Sequence, residues 1–546
     1  MTNVTRRGFL GTAALAGVAG AGVVGTQAAG AGVALADTGT SAAGRGGGPG
    51  AGGVGPDDPR YADLMLRGQN RRFAGQPERI EVVRSTEDVA RAVEKAARSG
   101  RRVAVRGGGH CFENFVDNSD VQVVVDMSAL SEVTWDHRRG AFTVGAGATL
   151  EQVYKALLFG WGVTVPGGGC LSVGVGGHFS GGGYGPLSRL HGSVVDHLYG
   201  VEVVVVDRSG HARPVVATRE PGDPHRDLWW AHTGGGGGNF GVVTRYFLRS
   251  HGAAGNDPTR ALPRPPATLL SAFVAWDWKA VTAESFAHTM ANYFSWYEKH
   301  AGADSPYASL YAPFLIPTSA ADGFLLSTQF DGTLPDAKAR LTAFHEAIVD
   351  GVSPRPYVGE PTEGPFLNMT LTRSIAETPQ PGRGKYKAAY LRRGYTPAQV
   401  ATIHRHLTDP GYRNPESLAL FVPYGGKVNT VDPAATATAQ RSSIMKVVYA
   451  SSWTDPARDE QEVDWARRIY RDVYAETGGV PAPNAANDGS YINYPDRDLA
   501  DPGWNTSGVP WHTLYYKGNY PRLQRIKAHY DPRGVFGHEL GIQPAR

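Results

Sequence analysis

Two kinds of apolar pattern alternate along the chain, with glycine clusters between them. Val89, Ala92, Val93 and Ala96 recur at helical spacing. Ser85 stands ahead of them as an N-cap, with Asp88 at the fourth position and Gly100 as the stop, so a helix is predicted to about Ser99. A second helix is predicted over about Leu150–Phe159. Short apolar runs read instead as strands: Ile80–Val83, Val103–Val105, Val121–Asp126, Ala141–Val144, Val201–Asp207 and Val242–Phe247. Alternating strands and helices broken by glycine loops predict a ligand-binding domain over residues 59–255. Prolines between Gly255 and Pro266 mark a linker. Residues 267–480 carry strands at Leu270–Trp276, Ser309–Phe314 and Gly323–Phe330. They also carry helices at Ala283–His300, Pro335–Asp350 and Pro397–His406. This predicts a second α+β domain. Residues 481–546, rich in Tyr, Trp, Asn and Pro, are expected to return to the first.

The glycine loops hold the candidate chemistry. Arg106-Gly107-Gly108-Gly109-His110 follows a buried strand. Pro166–Gly185 is half glycine and contains Cys170, His178 and Tyr184, and Gly234–Gly238 leads into Asn239-Phe240-Gly241. Glycine lets consecutive N–H groups turn toward an anion and lets backbone lie flat against an extended ligand. One such loop is usually a turn, whereas three in one domain point to a bound ligand. His110 and Cys170, each in a glycine cradle, can act as nucleophiles toward an electrophilic cofactor. A buried thiol, a satisfied histidine and a Cys111–Cys170 disulfide stay open as plainer readings.

Composition narrows the field. The chain has 546 residues, 41% apolar and 19% charged, with a net charge of +3 and no basic run in the body. Nucleic-acid binding gets no support. Two cysteines cannot build a four-cysteine zinc site, and no metal is expected. Phosphate-loop, zincin and G-x-S-x-G motifs are missing. Residues 1–36 read as an export signal: Arg6-Arg7-Gly8-Phe9-Leu10, a weakly apolar stretch from Ala13 to Leu35, and Ala34-Leu35-Ala36 as a cleavage site. Alanine and glycine make that stretch too weakly apolar for a membrane anchor. Residues 37–58 read as a disordered linker.

The motifs together resemble the berberine bridge enzyme-like family of FAD-linked oxidases. They are Arg106–His110, Gly168–Gly185, Gly235–Val243, Asn493–Asp496 and Tyr515–Phe536. Within it, Gly108–Glu113, Trp229–Gly234, Tyr424–Asn429 and Trp504–Trp511 look like the bacterial antibiotic-tailoring oxidases. The resemblance implies an α+β fold: a two-part PCMH-type FAD-binding domain plus a substrate domain with an antiparallel sheet. It implies FAD bound covalently through both His110 and Cys170. Arg106, Gly107, Gly108, Gly109, Gly174, Gly177, His178, Gly182, Gly241, Val243, Tyr516 and Asn519 would surround it. Tyr494 would act as base toward a substrate hydroxyl, with Tyr184 nearby. The implied function is a secreted oxidase, carried by the Tat export machinery. It would turn a secondary alcohol of a polyketide or its deoxysugar into a ketone and reduce O2 to hydrogen peroxide. A carbohydrate oxidase making lactones is the alternative within the family, and a non-catalytic flavin- or ligand-binding protein the alternative outside it. Some antibiotic oxidases carry a further tyrosine two residues before Tyr-Gly-Gly-Lys. Here that position is Val422, so a second, sugar-desaturating step is not expected.

Overall fold

The computed structural model describes residues 53–253, 255–377 and 382–545. The expected export signal and most of the linker lie outside the described residues.

The first half holds two sheets. β1 (Arg79–Val82), β2 (Val103–Arg106) and β3 (Val123–Asp126) form a parallel sheet in the order β1-β3-β2. β4 (Val133–Asp136), β5 (Ala141–Gly145), β6 (Leu198–Val206), β7 (Ala212–Thr218) and β8 (Val242–Leu248) form an antiparallel sheet in the order β4-β5-β8-β6-β7. The helix Thr86–Arg98 packs between them, and the Ser85 side chain accepts the N–H of Asp88 as its cap. Its Val89, Val93 and Ala96 are buried, so the sequence stripe is its core face. The helix Leu150–Trp161 opens with a capping box, Thr149 with Gln152.

The second half is one antiparallel sheet of eight strands. They are β9 (Thr268–Asp277), β10 (Phe314–Pro317), β11 (Gly323–Asp331), β12 (Tyr357–Val358), β13 (Thr362–Pro365), β14 (Arg383–Leu391), β15 (Leu418–Pro423) and β16 (Met445–Trp453). Their order is β12-β9-β11-β10-β15-β16-β14, with β13 also on β9. Sequence patterning missed β12 to β16 and the helix Asp459–Val473. It also set β10 too early: of Ser309–Phe314 only Phe314 lies in the strand, and Tyr311 makes an isolated bridge to Gln329. That helix packs on β14 and β16 and also meets the helix Pro397–Leu407. Ala337–Val349 covers β9 and β11. The other face of the sheet turns toward the first half.

The C-terminal segment comes back across the chain. Phe536 bridges Val103 beside β2, and the helix Tyr520–Tyr530 packs on Arg226–Ala231. Among the described residues no helix is long and apolar enough to cross a membrane.

Candidate active site

A cavity of ≈ 480 Å³ lies between the glycine loops and the inward face of the eight-stranded sheet. The loops after β2 and before the helix Val175–Ser180 meet backbone to backbone. A Cβ on Gly108 would stand 2.3 Å from the Gly174 nitrogen, and one on Gly174 would stand 2.2 Å from that of Gly108. Only glycine permits this approach. Gly177 is the opposite case. A Cβ there would meet nothing within 4 Å, and the nearest atom to one on Gly237 is the Gly177 Cα at 4.0 Å. Both line the cavity, so their missing side chains leave a slot.

Arg106 reaches the cavity from β2 and is 1% exposed. Its Nε donates to Asp126 Oδ2 at 3.1 Å, and Nη1 stands 3.6 Å from Asp117. Neither Nη1 nor Nη2 has a hydrogen-bond acceptor. Buried guanidinium donors left open are costly and seek an anion. Beside a glycine slot, they fit the diphosphate of a dinucleotide.

His110 and Cys170 converge on one hydroxyl. His110 Nε2 is 2.9 Å from Ser172 Oγ, and Cys170 Sγ is 3.7 Å from the same atom. Burial pushes the His110 pKa down to about 4, which keeps the imidazole neutral and nucleophilic. Neither cysteine is in a disulfide, so the Cys111–Cys170 pairing is not made. Burial pushes the Cys111 thiol up to about 12. His178 braces the Cys170 loop by accepting the Gly168 N–H at Nε2 (3.1 Å), and burial takes its pKa down to about 3.

The far end of the cavity is built from tyrosines. The hydroxyls of Tyr184 and Tyr494 are 3.4 Å apart. Burial raises both phenols, but their mutual hydrogen bond raises Tyr184 and lowers Tyr494. Tyr494 is therefore the more readily ionised of the two. Its ring stacks on Phe112 (5.4 Å), which stacks on Tyr386 (4.0 Å). Lys446 on β16 lies behind the pair. Its Nζ has no hydrogen-bond acceptor and stands 3.0 Å from the Tyr184 ring centre, 3.4 Å from that of Tyr491 and 6.0 Å from that of Tyr494. Burial pushes the Lys446 pKa well down, while the aromatic faces favour its charged form. The remaining wall is apolar: Pro313, Leu315, Leu418, Leu420, Val422 and Val448.

Of the residues expected here, Arg106, Gly107, Gly108, Gly109, His110, Cys170, Gly174, Gly177, His178, Tyr184, Gly241, Val243 and Tyr494 line the cavity. Gly182, Tyr516 and Asn519 do not. Gly182 takes a φ of +122° against Thr438 and Tyr491. The Tyr516 hydroxyl donates to the Gly235 carbonyl, and Asn519 Nδ2 donates to the carbonyls of Pro433 and Thr436. All three brace loops from behind. Sequence reasoning missed Ser172, Phe112, Tyr386 and Lys446. Of these only Lys446, a lone cation within an apolar run, left a visible sign.

Comparison with known proteins agrees with this geometry. The FAD binding domain family matches residues 77–212, and the "Berberine and berberine like" family matches residues 490–543. Aclacinomycin-N/aclacinomycin-A oxidase of Streptomyces galilaeus is 51% identical over 546 residues, 100% of this chain and 99% of that protein. Hexose oxidase of Chondrus crispus is 32% identical, covering 90% of this chain and 95% of its own. A glycopeptide hexose oxidase solved with teicoplanin has a TM-score of 0.86 at 53% identity, covering 90% of this chain and 98% of that one. With the glycine slot, the open arginine donors and these full-length likenesses in hand, the chain belongs to the berberine bridge enzyme-like family and is an FAD-dependent oxidoreductase.

Proposed function

We propose that this protein oxidises a secondary alcohol of a secondary metabolite, a polyketide or its deoxysugar, to a ketone. The observation that carries the reading is the Tyr184–Tyr494 hydroxyl pair at the end of the cavity, backed by Lys446. Arg106 and the glycine loops would hold FAD, and His110 and Cys170 would each bond to it covalently. When bound, FAD supplies the hydride acceptor and passes the electrons on to O2, giving hydrogen peroxide. Tyr494 accepts the proton of the substrate hydroxyl at its phenolic oxygen. A free phenol with a pKa of about 10 is a poor base at neutral pH, so its ionised form needs support. Tyr184 gives that support by donating to the Tyr494 oxygen. In its protonated form, Lys446 adds a positive field across the tyrosine faces. Tyr386 and Phe112 hold the Tyr494 ring by stacking.

The apolar wall favours a substrate whose reacting alcohol is attached to an apolar body. A free hexose would leave Leu420, Val422 and Leu418 facing its hydroxyls. The relatives called hexose oxidases keep the lactol-to-lactone reading as the rival. Val422 supports one oxidation rather than a second step on a neighbouring phenol.

Flavin bleaching and peroxide release, measured with glycosylated polyketides and with free hexoses, separate the two readings. Bleaching by hexoses alone would reject the first. Tyr494→Phe should lower the rate of flavin reduction by about 10²-fold or more, and a full wild-type rate would remove the base assignment. Yellow colour that stays with acid-precipitated His110→Ala/Cys170→Ala protein would reject the two tethers. Export through the twin-arginine route rests on Arg6-Arg7-Gly8-Phe9-Leu10. Secretion that survives Arg6→Lys with Arg7→Lys would reject it.

A further inference from the structure

β14 is an edge strand of the eight-stranded sheet, and its residues alternate in direction. Tyr386 faces the cavity, so Lys385 and Lys387 face the other way. Both lysines are 2% exposed. Lys385 Nζ stands 2.9 Å from Glu113 Oε1, 2.6 Å from Asp496 Oδ1 and 3.1 Å from Asp498 Oδ2. Lys387 Nζ stands 2.5 Å from Asp496 Oδ2 and 2.9 Å from Asp498 Oδ2. Arg467 closes the cluster on Asp498 at 2.7 Å, and Arg72 stands 3.8 Å from Glu113.

The carboxylates arrive from two segments far apart in the chain. Glu113 follows His110 by three positions, and Asp496 follows Tyr494 by two. Each segment straddles the edge strand. Phe112 stacks on Tyr386 on the cavity side, while Glu113 grips Lys385 beyond it. Tyr494 stacks on Phe112, while Asp496 binds both lysines. Burying so much charge is expensive, and apolar residues of similar volume often fold as well. Stability alone therefore does not account for the cluster. An ammonium sharing its three protons among fixed carboxylates does something an apolar contact does not: it fixes register.

We propose that Lys385 and Lys387 are positioning residues, which lock the His110 loop and the Tyr494 loop to one strand and so set the spacing between flavin tether and base. This rests on the roles given above to His110 and Tyr494. Burial alone would lower the pKa of Lys385, but Asp496, Glu113 and Asp498 raise it further, so the lock is charged at neutral pH.

The test uses the full-length, flavin-loaded protein with near-isosteric Glu113→Gln and Asp496→Asn. Hydrogen exchange should rise in peptides of both loops in each variant: residues 108–114 respond to the change at 496, and residues 491–498 to the change at 113. The kcat should fall on the order of tenfold with KM almost unchanged, as a misplaced reacting group requires. Lys385→Met should show both effects together. If it does not fold, the two carboxylate variants decide alone. Exchange that rises only in the mutated loop, or a wild-type kcat in folded variants, overturns the proposal. A wild type that no alcohol reduces, with Tyr494→Phe indistinguishable from it, would sink the proposed function instead. The exchange result would still decide the lock.

Discussion

Three buried lysines on two neighbouring strands meet opposite fates. Lys385 and Lys387 on β14 are surrounded by carboxylates, whereas Lys446 on β16 has only tyrosine faces. The pKa of Lys385 is raised, while that of Lys446 is pushed well below its ordinary value. A cation neutralised by fixed anions is a post. A lysine without them gives up its proton more readily, and acts as a charge on the rings it touches only while it is protonated. The parity of the strands decides which is which. Lys446 pairs with Tyr390, on the same face as Tyr386 and Val448, whereas Lys385 and Lys387 pair with Ser451 and Tyr449 on the other face. Arg106 stands between the two cases, with Asp126 on one nitrogen and two buried nitrogens left without a hydrogen-bond acceptor.

The largest expected effect breaks the paired side. Lys387→Met leaves Asp496 and Asp498 short of a counter-charge and should cost about 3–5 kcal/mol of stability, read as a lowered urea midpoint. A midpoint equal to wild type would show the pair to be replaceable. Arg106→Met should come next, with about 1–3 kcal/mol lost from FAD binding as the open donors disappear. In the His110→Ala/Cys170→Ala background, where no tether holds the flavin, the flavin-to-protein absorbance ratio reads this out, and an unchanged ratio would put the diphosphate elsewhere. Lys446→Met sharpens the contrast. Stability should change by less than about 1 kcal/mol, because no carboxylate loses a partner. Yet flavin reduction should slow about tenfold, and its rising pH limb should move to higher pH, since the Tyr494 phenolate loses a favourable field. Stopped-flow reduction across pH checks this, and an unmoved limb would leave Lys446 a packing residue.

The smallest effect appears in acid. Burial raises Asp498, but Lys387, Lys385 and Arg467 lower it more, so its pKa lies far below the ordinary 3.8. The unfolded chain then takes up this proton first as pH falls. Its contribution to stability is full above 3.8 and shrinks below it. His178 behaves alike from 6.5 down to about 3. The urea midpoint of Asp498→Asn should therefore fall less steeply below pH 4 than that of the wild type. Parallel slopes would remove Asp498 from the acid limb.

Local patterns were readable where local energetics decide. The Ser85 cap, the Val89–Ala96 stripe and the strand Val242–Leu248 each satisfy their hydrogen bonds or bury their faces within a short window. The strands Arg383–Leu391 and Met445–Trp453 were not legible. The first mixes lysine and tyrosine with apolar residues and the second adds serine, and the alternation makes sense only once both faces have partners. The candidate nucleophiles His110 and Cys170 stood out because glycine flanks them. Ser172, which touches both, did not, since a serine in a loop carries no pattern of its own.

By itself, the sequence determined that glycine loops carry a histidine and a cysteine, and that tyrosine motifs close the chain. Backbone freedom and side-chain chemistry are properties of single residues. Tertiary structure alone decided that Gly182, Tyr516 and Asn519 stand behind the cavity, and that Lys446 reaches the tyrosine pair while Lys385 and Lys387 grip the loops. A lysine becomes a post or a free charge according to which anions other strands and loops bring to it. Those distances exist only after the sheet has formed and the last segment has wrapped around its edge.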